Sequence, residues 1–178
     1  NTSQSTASYT SGSLYSTWAG NSNFYTSDNV SANFIYAAPF YCRQDCTISH
    51  LVFDNSGTGD SGDDIRIGIY DSTAVHVPNS LLQQSGEIAL DGTSDVRVAD
   101  ITDQALVGGK LYWIGLVANA TINLTFQAYG VQFGDTDKGV AAWNSGGSSY
   151  GVGTVWYAAH SYASLPSSAP TPIYYNKA

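Results

Sequence analysis

Short apolar runs recur along most of the chain, and their spacing predicts β-strands and no helix of usable length. The segment 65–70, IRIGIY, alternates so that its three isoleucines share one face. The segment 111–117, LYWIGLV, is apolar on both faces, as a central strand is, so Trp113 within it is predicted to be core. Turn signals such as Asp91-Gly92, Gly108-Gly109 and the turn around Pro78 separate the runs. The pattern predicts strands at 32–41, 47–53, 65–70, 86–90, 96–101, 111–117, 122–129, 131–133, 140–143 and 154–159, with a last short one at 173–175.

About nine strands at this spacing indicate an all-β fold, and we expect a single antiparallel β-sandwich, jelly-roll-like, over residues 21–178. Residues 1–20 are rich in Ser, Thr and Asn with isolated aromatics. That composition is typical of a connector, so the segment is predicted to be an N-terminal Ser/Thr-rich connector.

Charge is scarce in this chain and acidic in balance. Of the 178 residues, 6 are Lys or Arg and 14 are Asp or Glu, which gives a formal net charge of −8. Binding to nucleic acid or to an anionic membrane surface needs clustered cations, so neither partner is expected. No apolar run reaches the roughly 20 residues of a membrane-spanning helix, so membrane insertion is not expected either. A polar but largely uncharged surface is typical of an extracellular or virion-surface location.

The two cysteines, Cys42 and Cys46, are separated by three residues. In one extended strand they would lie about 13 Å apart, beyond the reach of a disulfide. If residues 43–45 form the turn of a hairpin, the strand ends face each other and a Cys42–Cys46 disulfide becomes possible. The disulfide is the favoured prediction, and a pair of free buried thiols is the alternative. A zinc site is least favoured, because the three histidines show no ligand spacing.

The order of several segments resembles a family of phage proteins. These segments are FIYAAPF at 34–40, IRIGIYD at 65–71, the Pro78 turn with Leu81-Leu82, LYWI at 111–114 and ASLPSSAP at 163–170. The order is similar to that in β-sandwich domains of tailed-phage virion appendages such as tail fibres, head fibres and spikes. The resemblance covers roughly residues 30–172, and the cysteine pair and the acidic loop depart from it. It implies a virion-surface role, often adhesion to host glycans, and no catalytic residues.

An acidic loop at 54–64 brings carboxylates together with glycines. The candidate metal ligands in it are Asp54, Asp60, Asp63 and Asp64. Ca²⁺ prefers six to eight oxygen ligands, which a flexible loop can supply, but the spacing and closing Glu of an EF-hand are missing. The favoured alternative is a solvated hairpin loop in which Asp and Gly serve turn geometry. No other cofactor is expected.

Aromatic residues late in the chain stand among small polar ones, as in AAWNSGGSSYG at 141–151. Flat aromatic faces bind the C–H side of a sugar ring, and amides and hydroxyls bind its hydroxyl groups, a mixture that antibody paratopes also use. The alternative is that Trp143 and Trp156 are core or subunit-interface anchors. The predicted carbohydrate-binding residues are Trp143, Asn144, Tyr150, Trp156 and Tyr157.

No residue pattern points to catalysis. Asp100 with Asp103, and Asp135 with Asp137, show no reason for the raised pKa that one carboxyl of a glycosidase pair needs. The chain also lacks the Gly-x-Ser-x-Gly elbow of many serine hydrolases. We therefore expect a non-enzymatic virion-surface domain that binds host cell-surface carbohydrate, forms a homo-oligomer and contacts other virion proteins. The alternatives are a structural domain that decorates or oligomerises a capsid or fibre without binding glycan, and a polysaccharide-degrading enzyme.

Overall fold

The computed structural model describes residues 25–42, 44–55, 59–92, 95–127 and 156–171. This part of the chain contains strands and no helix, which confirms the all-β prediction. Its strands are β1 (Tyr25–Val30), β2 (Phe34–Cys42), β3 (Cys46–Asn55), β4 (Asp64–Ser72), β5 (Pro78–Gln84), β6 (Ile88–Ala89), β7 (Asp95–Leu106), β8 (Lys110–Ala118), β9 (Ile122–Gln127) and β10 (Trp156–Ala159). Among these residues there is accordingly no helix of the length and apolar character needed to cross a membrane.

The strands form two antiparallel sheets. One has four strands in the order β1-β9-β3-β7, and the other has six, in the order β10-β2-β8-β4-β5 with β6 beside β4. The pairs are nested along the chain: β4 with β5, β3 with β7, β2 with β8, and β1 with β9. In sequence, each of these pairs therefore encloses the next, and the β4–β5 loop is innermost.

The inner faces of the two sheets share a hydrophobic core. Ile65 and Ile67 of β4 and Leu116 of β8 pack there with Leu51 and Phe53 of β3. The predicted isoleucine face of β4 is confirmed, since Ile65 and Ile67 are almost completely buried. Each such side chain contributes about 1.5–3 kcal/mol by leaving water, so this shared core holds the two sheets together.

The outer face of the six-stranded sheet is buried as well, under residues 160–171, which we call the C-terminal strap. Leu165 of the strap packs against Tyr70 of β4 and Trp113 of β8 in a second apolar cluster. Trp113 is 4% exposed, so its prediction as a core residue is confirmed. Because β8 is covered on both sides, its sequence has no polar face.

A pair of glycines makes room for this second cluster. Gly68 of β4 and Gly115 of β8 are direct neighbours across the two strands. A Cβ atom on Gly68 would lie 2.6 Å from the Leu165 side chain, and one on Gly115 would lie 2.8 Å from the Tyr70 ring. Both glycines are therefore required by close approach, since real Cβ atoms do not reach such distances.

Hydrogen bonds fix the strap along its length. The four that anchor its middle run from Leu165 N to Gln84 Oε1 (2.8 Å), from Tyr70 OH to Pro166 O (3.0 Å), from Leu81 N to Ser167 O (2.9 Å) and from Ala169 N to Asn79 O (2.7 Å). The strap thus adds its backbone to the edge formed by β5 while its side chains cover the sheet.

The strand predictions fail in two places that local pattern cannot reveal. No strand is predicted at β1, whose sequence YTSDNV is polar, or at β5, whose sequence PNSLLQQ does not alternate. β5 is an edge strand that begins with Pro78, a position that tolerates the missing N–H. The predicted strand at 86–90 shrinks to the two residues of β6. The predicted strands at 131–133, 140–143 and 173–175 and the connector at 1–20 lie outside the described residues.

Candidate functional site

Three connections lie together at one end of the two sheets: β2–β3, β4–β5 and β7–β8. Cys42 at the end of β2 is paired with Lys110 at the start of β8, and Cys46 at the start of β3 is paired with Leu106 at the end of β7. β4 runs antiparallel to β8 and therefore ends at the same level. The β7–β8 turn packs on the β2–β3 connection, because Gly108 N donates to the Asp45 carboxylate at 2.7 Å. We call this the cleft end of the molecule.

A cleft of about 480 Å³ opens at the cleft end, a volume within the range of small-ligand sites. It lies between the β4–β5 loop, the end of β7 and the start of β8. Its lining combines amide, hydroxyl, imidazole, ammonium and carboxylate groups with a partly apolar floor. The lining residues are Asp71, Ser72, Thr73, Ala74, His76, Leu82, Gln104, Ala105, Gly109, Lys110, Leu111 and Tyr112.

Some polar groups of the lining are already engaged in shaping the loop. The Asp71 carboxylate accepts hydrogen bonds from Ser80 N at 2.5 Å and Asn79 Nδ2 at 3.4 Å. The Thr73 hydroxyl accepts one from Val77 N at 3.2 Å. These bonds hold one wall of the cleft in place before any ligand arrives.

The floor of the cleft is anchored in the core. The Tyr112 hydroxyl accepts a hydrogen bond from Val107 N at 2.9 Å, and the Ser72 hydroxyl accepts one from Trp113 Nε1 at 3.4 Å. Tyr112 is 5% exposed and belongs to the same buried cluster as Cys42 and Leu106. A ligand would therefore rest on a preformed surface, which limits the entropy lost on binding.

Of the predicted carbohydrate-binding residues, Trp143, Asn144 and Tyr150 lie outside the described residues. Trp156 and Tyr157 are the first residues of β10, where they pair with Ala37 and Tyr36, and their side chains are likewise outside the description. The carbohydrate-binding role of these five residues stays a prediction.

The strands that border residues 128–155 do have a defined direction. β9 runs antiparallel to β3, which starts at the cleft end, so β9 runs towards that end. β10 runs antiparallel to β2, which finishes there, so β10 runs away from it. Within the described residues, β9 thus points towards the cleft end and β10 points away from it.

The two cysteines are brought together, but not by the predicted hairpin. β2 and β3 lie in different sheets, so they do not form the hairpin that was the condition for a possible disulfide. The crossover between the sheets nevertheless places Cys42 Sγ 3.8 Å from Cys46 Sγ, with both residues present as thiols. Burial, followed by the hydrogen bond and charge of Cys46, raises the pKa of Cys42 to about 11. The disulfide stays a prediction.

The acidic loop is likewise a crossover between sheets, so the alternative of a hairpin loop is wrong in its topology. Its acids nevertheless serve turn geometry: the Asp63 carboxylate accepts a hydrogen bond from Asp60 N at 2.8 Å. The Asp64 backbone N donates to Asn119 Oδ1 at 2.8 Å, and Asn119 Nδ2 lies 3.3 Å from the Asp64 carboxylate. The side chain of Asp54 lies outside the described residues.

The surroundings of Asp64 disfavour the charged form of its carboxyl group. Burial, and then the neighbouring carboxylate of Glu87, raises the pKa of Asp64. Over the described ranges, no group of three His, Cys, Asp or Glu side chains converges in a way that could hold a metal ion. Calcium binding by Asp60, Asp63 and Asp64 therefore gains no geometric support from these residues and stays a prediction.

A chain of polar side chains that sequence reasoning missed lies on the four-stranded sheet. Ser49 Oγ is 2.6 Å from His50 Nδ1, and His50 Nε2 is 2.8 Å from Asp100 Oδ1. The register of β3 shifts between Ile48 and His50, and neighbouring strands set the contact to β7, so sequence spacing gave no signal. The Asp100 side chain is 89% exposed, and in water its charge polarises an imidazole only weakly. The geometry is that of a surface hydrogen-bond chain.

Comparison with known protein families, with curated proteins and with solved structures finds no match to this chain.

Proposed function

We propose that this chain is a non-enzymatic domain of a tailed-phage virion surface that binds host cell-surface carbohydrate at its cleft end. The cleft carries the proposal. It is a preformed depression of about 480 Å³ lined by hydroxyl, amide and cationic groups and by the Asp71 carboxylate, over a partly apolar floor. A sugar has alternating hydroxyl and C–H surfaces, so it needs both kinds of partner in one place.

The strand order supports a jelly roll. Nested pairs split between two sheets, with β1, β9, β3 and β7 in one and β2, β8, β4 and β5 in the other, are the order expected of a rolled-up double Greek key. Jelly rolls occur in both viral capsid and lectin domains, so the fold is compatible with a virion location and with sugar binding. This is an analogy of fold, and the cleft has to carry the argument about function.

The resemblance to phage appendage domains contributes to the location but not to the activity. Its strongest segments correspond to β4 and β8, whose side chains Ile65, Ile67, Tyr70 and Trp113 are buried. Buried core residues support the resemblance in fold, but they give no evidence about the ligand. The predicted carbohydrate-binding residues Trp143, Asn144, Tyr150, Trp156 and Tyr157 are proposed to take part in the same binding function.

The test is a glycan array probed with the purified chain, together with its mass in solution. We expect retention on bacterial surface polysaccharides that is weak for one copy and strong for a multivalent display, because avidity multiplies weak sites. An oligomer of defined mass that binds no glycan at any density would overturn the proposal and favour the structural alternative. Release of reducing ends from the bound polysaccharide would overturn its non-enzymatic part.

A further inference from the structure

The Lys and Arg side chains in the described part of the chain differ in their partners. Arg66 forms an ion pair with Glu87 at 3.1 Å, and Arg97 donates to the carbonyl oxygen of Asp91 at 3.2 Å. Lys110, the remaining Lys or Arg in the described ranges, has neither kind of partner there, and it lines the cleft. In a chain with a formal net charge of −8, an unpaired ammonium group at a cleft is a distinctive feature.

His76 brings a second nitrogen donor to the same cleft. Its backbone φ is 61°, which lies in the left-handed region that residues other than Gly seldom adopt. The loop enforces this conformation, because His76 N donates to Thr73 O at 3.0 Å and Thr73 N donates to Val77 O at 2.9 Å. In this conformation His76 is exposed and lines the cleft from the β4–β5 loop.

The remaining titratable groups of the cleft do not neutralise Lys110 by contact. The Asp71 carboxylate is held by Ser80 N and Asn79 Nδ2, and the Tyr112 hydroxyl is held by Val107 N. Gln104 Nε2 donates to Ala105 O at 2.8 Å, which leaves its amide oxygen to accept from a ligand hydroxyl. The cleft therefore offers an ammonium group that no carboxylate contacts, beside neutral hydrogen-bonding groups and the Asp71 carboxylate, whose oxygens accept from Ser80 N and Asn79 Nδ2.

We propose that the cleft recognises a carboxylate-bearing sugar, such as a uronic acid unit of an acidic surface polysaccharide. The ligand carboxylate accepts hydrogen bonds from the Lys110 ammonium and from an N–H of His76, and the ring hydroxyls face Gln104 and the hydroxyls of Ser72 and Thr73. This inference rests on the proposed function and narrows it to acidic glycans. Lys110 supplies the selectivity, because a neutral sugar gains no charge-assisted hydrogen bond from it.

The experiment follows backbone amide signals of the isotope-labelled full chain by NMR during titration with sodium D-glucuronate, D-glucose or D-glucose 6-phosphate. At up to about 10 mM ligand, we expect saturable shifts confined to 71–76 and 104–112 with glucuronate and much weaker ones with glucose. Lys110→Gln should weaken glucuronate binding about tenfold or more, whereas Lys110→Arg keeps the charge and should change it by less than about threefold.

A matched control separates local from overall charge. Arg97→Gln removes one positive charge from a residue that does not line the cleft, so it should leave glucuronate binding unchanged. If Arg97→Gln and Lys110→Gln weaken binding equally, the effect is one of net charge and the inference is wrong. Equal shifts with glucose and glucuronate, or shifts with the phosphate ester alone, would overturn it as well.

The outcomes distinguish this inference from the proposed function. Binding of the chain to a glycan array that is unaffected by Lys110→Gln would overturn the acidic-sugar site and leave carbohydrate binding standing. Absence of binding to every glycan and of shifts with glucuronate would overturn both.

Discussion

Trp113 and Trp143 carry different predictions, the first of a core residue and the second of a binding residue. Trp113 is 4% exposed beneath the C-terminal strap. Trp143 lies outside the described residues, and its neighbours in sequence, WNSGGSSY, are mostly small and polar. Burial therefore assigns Trp113 to the core, and the role of Trp143 in binding stays a prediction.

We expect Trp113→Ala to lower the free energy of unfolding by about 3–5 kcal/mol, because it leaves a large cavity in a packed cluster. Trp143→Ala should abolish adsorption of the chain to host cells and leave the melting temperature within a few degrees. Thermal unfolding and cell-binding assays on the two variants check this. A loss of about 3 kcal/mol or more in Trp143→Ala would instead assign Trp143 to a core and remove it from the binding surface.

The cysteine pair gives a second prediction at this scale. Cys42 is 1% exposed, and its raised pKa of about 11 keeps it protonated at neutral pH. Its sulfur lies 3.8 Å from that of Cys46, so only a small shift is needed to reach the S–S bond length of about 2.05 Å.

We expect the purified chain to carry a Cys42–Cys46 disulfide, and intact mass after alkylation without reductant should show no added group. In the reduced chain, alkylation of Cys42 should be slow at pH 7 and accelerate as the pH rises towards 11, because the thiolate is the nucleophile. Two groups added rapidly without reductant would show that both thiols are free and accessible.

Among elements, the strap and the six-stranded sheet depend on one another. The strap covers the sheet only because Gly68 and Gly115 leave space for Leu165 and Tyr70. A side chain at Gly68 would also meet the backbone oxygen of Gln83 at 2.7 Å, an atom that cannot rotate away.

Gly68→Ala is therefore expected to lower the free energy of unfolding by about 1–3 kcal/mol through overpacking. Gly86→Ala is the matched control, since nothing lies within 4 Å of a Cβ atom there, and it should be neutral or slightly stabilising. Urea unfolding of both variants measures the difference. Equal stability of the two would mean that the strap yields to the added methyl group and is not tightly packed.

The pattern of apolar and polar residues predicted those strands whose buried faces are apolar in their own sequence. Examples are β4, whose isoleucines alternate towards the buried core, and β8, which is apolar on both faces because both are covered. β1 escaped prediction because its polar sequence becomes a strand only by pairing with β9, more than half the chain away. The cleft escaped for the same reason: Thr73, Gln104 and Lys110 meet only after the sheets have formed.

For the whole molecule, topology decides what meets at each end. Crossovers between sheets, and not hairpins, join β2 to β3 and β3 to β4, so both the cysteine link and the acidic loop span the two layers. This arrangement places the cysteine crossover beside the cleft and the acidic loop at the opposite end. A ligand at the cleft would thus contact the molecule far from its concentrated carboxylates.

The nested pairing also sets an order of events in time. Tyr70 and Leu81 of the innermost pair are close in the chain, whereas Tyr25 and Gln127 of the outermost pair are far apart. The entropy of closing a loop grows with its length, and folds dominated by distant contacts form in milliseconds to seconds. During synthesis, β1 and β2 therefore leave the ribosome long before β9 and β8, their partners. The apolar β2 lacks its native neighbours β8 and β10 throughout that interval, so its apolar side chains have no native sheet to join until late in synthesis.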